Sequence, residues 1–369
     1  MTPARTVEDR DAALRVARES YRAISLYAPD RAPCRIDLSD NTNTWGVAPA
    51  VEEAIRDAAL TSVTRYPNLY AAQLKEALGG YLGVAADRIV TGCGSDDVLD
   101  SAIRAFAEPG DAIVFPEPSF AMIPIFARMN GLRPVPVRLT TSLDLDAEGM
   151  LAPSARIVYI CSPNNPTGGS MSRGAVERIV ERSGGVVIID EAYAEFAGED
   201  FLDLVASSER VLVARTMSKA FGLAGLRVGY ATGAPALVAE VEKSRGPYKV
   251  NALAERAALA ALGEGLAWAR SHVTEAIANR ERLASELRSR GLSPLPSTAN
   301  FVLVPVAAAN ERAKQMRALG VAVRPFEGLP PLGSELAATG GSALRISVGP
   351  WEMIEAALGA LDTTAGEAP

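Results

Sequence analysis

Lys219 stands where a buried strand should end. The apolar run "RVLVAR" (210–215) leads to "TMSKAFGLAGLRVGY" (216–230), which sets Lys219 after a serine and before an apolar stretch, with Arg227 eight positions later. An ammonium group packs poorly there, but partial desolvation and a neighbouring cation lower the pKa of an amine and make it nucleophilic. Such an amine can form a Schiff base with a carbonyl compound. Asp190, in "VVIIDEAY", follows four apolar residues and needs a cationic or N–H partner if it is buried. Tyr193 comes three residues later.

Two more segments place polar groups where apolar runs end. "VTGCGSDD" (90–97) sets two glycines and Ser95 between a strand pattern and a helix pattern. Free backbone N–H groups at a positively polarised helix start suit a phosphate. The third glycine of a dinucleotide fingerprint is absent, which disfavours a nicotinamide-binding dehydrogenase. "CSPNNPTG" (161–168) offers Asn164 and Asn165 in a turn stiffened by proline, a pattern shared by ordinary turns. Amine, carboxylate, phosphate cradle and amide donors fit one ligand, pyridoxal phosphate. It needs a carboxylate for its pyridinium nitrogen, donors for its phenolic oxygen and an aromatic plate for its ring.

Positioning these groups requires strands that end together. Short Val- and Ile-rich runs at 87–92, 111–116, 156–163, 185–191, 210–216 and 226–231 read as strands buried on both faces. Helical patterns such as "SDDVLDSAIRAFAE" and "SRGAVERIVERSG" alternate with them, so an α/β fold with a mainly parallel sheet flanked by helices is expected. Ligands of such sheets sit at the carboxyl ends of the strands. Beyond residue 251 the texture changes to long Ala-, Leu-, Glu- and Arg-rich helices, followed by the strand-like "NFVLVPV" and "ALRISVG". The expected organisation is an N-terminal segment (1–38) packed with a smaller C-terminal α/β domain (251–369), and a large domain over 39–250.

Composition narrows the function classes. The 369 residues are 48% hydrophobic and 22% charged, the balance of a folded globular chain. A net charge of -7 argues against a nucleic-acid-binding surface. The beginning of the chain alternates charges and lacks the apolar core of a signal peptide, and no stretch approaches membrane-spanning length, so no membrane partner is expected. The three cysteines, Cys34, Cys93 and Cys161, lack metal-ligand spacing and read as free thiols of a reducing cytoplasm. The single histidine, His272, excludes a His-rich metal site or a Ser-His-Asp triad within one chain, and its polar setting reads as a helix surface. No metal is expected.

Over nearly its whole length the chain resembles the fold-type I aminotransferases of classes I and II, and within them most closely the histidinol-phosphate aminotransferases. "NPTG" (165–168), "DEAY" (190–193) and "SKAFGLAGLR" (218–227) follow that family's order, with 25 residues from Asn165 to Asp190 and 29 from Asp190 to Lys219. The resemblance implies that Lys219 forms the Schiff base with pyridoxal phosphate, that Asp190 pairs with the ring nitrogen, and that Asn165 and Tyr193 hold the phenolic oxygen. Phe120 in "EPSFAM" matches the stacking aromatic, usually Tyr. Ser95 and Asp96, through backbone N–H groups, with Ser218 and Arg227, would hold the phosphate. Tyr66 in "TRYPN" resembles the tyrosine that reaches the neighbouring subunit's phosphate, implying a homodimer with shared sites.

On the substrate side, Arg345 in "ALRISVG" matches the arginine that receives a carboxylate or phosphate. Arg324 in "VAVRPF" and Tyr27 in "SLYAPDR" match further residues of the histidinol-phosphate enzymes. The family's Asn-Glu-Asn-Pro-Tyr/Phe-Gly segment reads "NTNTWG" here, within "DNTNTWG" (40–46). Asn43 and Gly46 keep their places, and Trp45 alters the side that would meet the amine. The implied reaction is transfer of an amino group from histidinol phosphate to 2-oxoglutarate. Transamination of aromatic or other amino acids and a phosphothreonine decarboxylase-like activity are the alternatives. A cofactor-sensing transcription regulator would need a basic DNA-binding domain, whereas the roughly 35 residues before the large domain are acidic or mixed in charge.

Overall fold

A computed structural model describes residues 16–22, 24–25, 32–58 and 60–365; Tyr27 lies outside the described residues. After a two-residue strand β1 (Ile36–Asp37) come β2 (Ile89–Cys93), β3 (Ala112–Glu117), β4 (Arg133–Arg138), β5 (Ile157–Cys161), β6 (Val186–Asp190), β7 (Val211–Thr216) and β8 (Val228–Gly233). These last seven form one sheet in the order β2-β8-β7-β6-β5-β3-β4. β8 runs antiparallel to both its neighbours, and every other pairing is parallel.

The apolar runs follow from burial on both faces. Val158, Ile160, Val187 and Ile189 enter one core cluster, while Ile157, Tyr159, Ile188 and Leu212 enter the cluster on the opposite face. With a side-chain period of two, both parities must then be apolar. β4 is the exception. Its sequence "RPVPVR" is largely half-exposed at the sheet edge, where proline is tolerated because no neighbour needs its missing N–H. Those prolines conceal the strand from any search for apolar runs.

A second sheet is antiparallel, ordered β11-β12-β9, from β9 (Phe301–Pro305), β11 (Arg324–Phe326) and β12 (Ala343–Ser347). The short β10 (Val321–Ala322) pairs in parallel with β1, and Ser347 donates its backbone N–H to Leu38 at 2.9 Å. The segment after β1 is thereby stitched to β12. The 24-residue helix Leu266–Ser289 packs on β9 and on the helix Trp351–Ala365. The helix Ala252–Leu262 starts at Asn251, whose side chain accepts from Ala254 N at 2.9 Å, and it packs on the helices Pro49–Arg56 and Ala72–Leu82. No helix among the described residues is long and apolar enough to cross a membrane.

The carboxyl ends of β2, β3, β5, β6 and β7 lie on one edge of the large sheet, and the reversed β8 begins there beside Arg227. Leu212 is fully buried in the middle of β7. Leu212→Ala is expected to lower unfolding free energy by about 2–5 kcal/mol, measured by denaturant titration.

Candidate active site

Lys219 occupies a tight turn after β7. Ser218 donates its backbone N–H to the Thr216 hydroxyl at 3.1 Å, Thr216 in turn donates to Ser218 Oγ at 2.9 Å, and Gly222 N–H bonds back to the Lys219 carbonyl at 3.3 Å. Gly222 has φ 72°, and a Cβ there would lie 2.4 Å from the Gly46 carbonyl oxygen. Glycine thus permits the segment 40–46 to close over the lysine. Lys219 Nζ donates to the Asp40 carbonyl at 3.1 Å, and Asn43 Nδ2 donates to the Ala220 carbonyl at 3.1 Å. Burial, with the Arg345 and Arg227 charges adding to it, brings the Lys219 amine down from 10.5 to about 8.

Asp190 ends β6, buried, and its Oδ2 accepts from the Tyr159 hydroxyl at 2.8 Å while Oδ1 accepts from Ala192 N–H at 3.1 Å. Burial still lifts its carboxyl to about 6, because these two donors offset only part of the lost hydration. Behind it, Arg215 Nε donates to Glu191 at 2.8 Å and its Nη2 donates to Asp200 at 2.8 Å, which anchors the turn that carries Tyr193. Tyr193 is buried edge-on to Phe301, with centroids 5.3 Å apart, and its hydroxyl accepts from Asn41 Nδ2 at 3.1 Å. Lys219 Nζ stands 5.8 Å from the centre of the Tyr193 ring.

Arg345 reaches this cluster from β12. Its Nη1 donates to Asn165 Oδ1 at 2.5 Å and its Nη2 to the Ser39 carbonyl at 2.8 Å, with the guanidinium 5.3 Å from Phe301 and 5.6 Å from Phe326. Arg324 is its direct partner across the β11–β12 ladder, so both side chains project from one face.

At the start of the helix Gly94–Phe106, Arg227 Nη2 donates to Asp96 Oδ2 at 3.2 Å. A Cβ on Gly94 would lie 2.4 Å from Arg227 Nη2, and one on Gly229 would lie 2.1 Å from Ser95 N. At Gly229 the contact is with backbone and excludes any larger residue, whereas Gly94, with φ 80°, meets the end of the Arg227 side chain, so β8 and the helix start approach at backbone distance with the guanidinium beside them. Cys93 N–H and Lys249 Nζ each bond Asp97 at 2.9 Å.

The family model "Aminotransferase class I and II" matches residues 35–361. The chain belongs to the class I and II aminotransferases. A histidinol-phosphate aminotransferase of Thermoanaerobacter pseudethanolicus is 34% identical over 317 residues, covering 84% of this chain and 90% of that one. An aromatic amino acid aminotransferase of Rhodococcus jostii is 36% identical over 321 residues, covering 84% and 88%. The crystal structure of the Sinorhizobium meliloti histidinol-phosphate aminotransferase in complex with pyridoxal-5'-phosphate superposes with a TM-score of 0.85 at 26% identity, covering 96% and 98%. The fold is therefore that of the pyridoxal-phosphate-dependent aminotransferases.

Within this aminotransferase, Lys219, Asp190, Tyr193, Asn165, Arg345 and Arg324 come together around the edge of the large sheet. Ser95, Asp96 and Arg227 gather at the helix start, and Ser218 is buried with its hydroxyl bonded to Thr216. Phe120 is half-buried just beyond β3. Tyr66 is 83% exposed and stacks on Tyr248, with centroids 4.8 Å apart. Trp45 turns toward the helix Leu266–Ser289, its ring centre 5.8 Å from that of His272. His272 departs from the expected helix surface: it is half-buried, 4.1 Å from Trp268, with Nδ1 2.9 Å from the Trp268 carbonyl. Trp268 lies one turn back on the same helix, but Trp45 comes from a segment more than two hundred residues away, which local polarity could not reveal.

Sequence reasoning missed Tyr159, which reads only as an aromatic of a buried strand. It also missed Asn41, which sits in the quoted "DNTNTWG" with φ 56° and is held by Ser347 Oγ, accepting from Asn41 N at 2.8 Å. An asparagine in a Gly- and Asn-rich turn was the available signal.

In cofactor-free protein, the amine of Lys219 is expected to lose its proton near pH 8. The unfolded chain holds that proton up to the ordinary 10.5, so this group's contribution to stability rises with pH between those values. Amine acylation of Lys219 followed against pH by mass spectrometry checks this; a midpoint at the ordinary lysine value contradicts it. Arg345→Gln should move the midpoint upward, since the guanidinium disfavours the ammonium.

Proposed function

We propose that this aminotransferase binds pyridoxal phosphate between Lys219 and Asp190, takes histidinol phosphate as amine donor and 2-oxoglutarate as acceptor, and yields imidazole acetol phosphate and glutamate. The residues present fit the cofactor. A partly desolvated amine and a buried carboxylate lie within each other's field, and the start of the helix Gly94–Phe106, whose backbone N–H groups suit a phosphate, meets Arg227 through Asp96.

Asp190 would pair with the ring nitrogen and keep it protonated, and Asn165 and Tyr193 would donate to the phenolic oxygen. Phe120 would lie against the ring, and Ser95, Asp96, Ser218 and Arg227 would hold the phosphate. When bound, the cofactor supplies a conjugated cationic ring that accepts the electron pair left at the substrate carbon. Lys219, with an amine poised near neutral pH, would take the proton from that carbon and return it one position away. Asp40 and Asn43 hold the lysine turn, so the amine works from a fixed place.

The observation that carries the substrate assignment is Arg324 directly opposite Arg345, with Arg345 clamped by Asn165 and Ser39. Two guanidiniums on one face suit a phosphate dianion better than a single carboxylate does. Asn43 and Trp45 would border the amine, and Tyr27 would complete the phosphate contacts. A second reading, transamination of aromatic amino acids, is favoured by the Rhodococcus jostii relative and by Phe301 and Phe326 flanking Arg345.

We also assign a homodimer. Tyr66, Leu69, Tyr70 and Tyr248 form an exposed aromatic and apolar neighbourhood, with Tyr248 N–H bonded to the Leu69 carbonyl at 3.2 Å. A second copy covering it would bring Tyr66 to the partner's phosphate. The free thiols Cys34, Cys93 and Cys161 suit a cytoplasmic setting.

Titration of the cofactor-loaded enzyme with histidinol phosphate, phenylalanine, glutamate and phosphothreonine, followed by conversion of the cofactor to its pyridoxamine form, tests the substrate. Efficient conversion by histidinol phosphate is expected; preference for phenylalanine selects the second reading, and carbon dioxide release from phosphothreonine rejects both. Lys219→Ala should lower kcat by at least about a hundredfold, and normal turnover in that variant removes the central role. Arg324→Ala should raise KM for histidinol phosphate roughly ten- to a hundredfold while leaving glutamate nearly unaffected; equal losses argue against a phosphate pocket.

A further inference from the structure

Asn300 is 3% exposed, and its Nδ2 donates to the Asn41 carbonyl at 2.9 Å. That bond fixes the amide, leaving Oδ1 on the opposite side, buried and without a hydrogen-bond partner among the described residues. The indole Nε1 of Trp45 is buried in the same condition. Its backbone is held by Asn43 Oδ1, which accepts from Trp45 N at 2.9 Å, and its ring is held by His272. One orphan is an acceptor and the other a donor, and a buried polar group left unpaired is costly.

Trp45 and Asn300 line one and the same cavity, of about 10 Å³, with Lys219, Phe196 and Val273 among its other walls. That volume is about what a single water molecule requires, and it is too small for a substrate group. We propose that this cavity is a binding site for one water molecule, which accepts from Trp45 Nε1 and donates to Asn300 Oδ1. Neither Phe nor Tyr at position 45 would supply an N–H donor from its ring.

The bridge joins a segment that already makes three contacts beside the reacting lysine. Asp40 accepts from Lys219, Asn41 donates to Tyr193, and Asn43 donates to Ala220. Water between Trp45 and Asn300 anchors the far end of that segment to the start of β9, so the closure over Lys219 is held at both ends. The inference rests on the protein's own packing and is independent of which amine is the substrate.

A crystal structure of the enzyme at a resolution that shows ordered waters should contain one density peak within hydrogen-bond distance of both Trp45 Nε1 and Asn300 Oδ1. Val273→Ile provides a second measurement. Its added methyl group enters the cavity and displaces the water, and the melting temperature should fall by about 2 °C or more as both polar groups lose their common partner. Overpacking a dry void this small lowers the melting temperature as well, so the displacement is read from the variant's crystal structure, in which the water peak must be gone while Trp45 and Asn300 keep their places. Wild-type protein without the density peak, or a Val273→Ile melting temperature that is unchanged or raised, overturns the proposal.

Discussion

The desolvation of two opposite charges, Lys219 and Asp190, is the constraint on which the rest of this structure depends. Asp190 is buried and Lys219 half-buried at the edge of the same sheet, and no hydrogen bond joins them directly. Burial pushes the lysine amine down to about 8 and the carboxyl up to about 6. Each therefore needs dedicated support: Tyr159 and a backbone N–H for the aspartate, the Asp40 carbonyl for the lysine. A close pair would satisfy itself and leave nothing to engage a ligand. Holding the two apart, each partly satisfied, leaves an amine and a carboxylate free of one another, as the proposed cofactor site requires.

Two features of the fold complete the surroundings of that pair. The first is the reversal of β8, which lets Arg227 enter at the edge where the parallel strands end. The second is the segment 38–46, which leaves β1, bonds to β12 through Leu38 and Ser347, and crosses over the lysine turn. Its passage demands Gly222, because a side chain there would strike the Gly46 carbonyl. The antiparallel sheet consequently delivers Arg345 to Asn165 at 2.5 Å, so groups from both ends of the chain converge on one side of the lysine.

Arg215 illustrates how a strongly polar interior is tolerated next to this site. It is 5% exposed, yet its guanidinium is shared between Glu191 and Asp200. Glu191 also accepts from Phe201 N–H at 2.6 Å. The network ties the turn after β6 to the loop before the helix Asp203–Ser207, and so fixes the direction in which Tyr193 leaves the strand. Buried charge here acts through geometry, since its desolvation cost roughly offsets its Coulomb attraction.

The parallel sheet was legible in the sequence because strands covered on both faces must be continuously apolar, and Lys219, Asp190 and Arg227 were legible because they interrupt that pattern. The glycines of "VTGCGSDD" likewise announced a close approach. β4 escaped because its prolines break the run, which only an edge position tolerates. Tyr159 and Asn300 escaped because a buried tyrosine or asparagine carries no local mark of its partner. His272 is half-buried and not on an open helix surface because Trp45, from a distant segment, packs against it beside Trp268 of its own helix. The order of motifs along the chain thus determined the family and singled out the candidate reacting groups. Tertiary structure alone decided which backbone carbonyl receives the lysine, which hydroxyl restrains the aspartate, and that Arg324 faces Arg345. Those contacts join residues far apart in sequence, and their distances are set by how two sheets and one crossing segment pack.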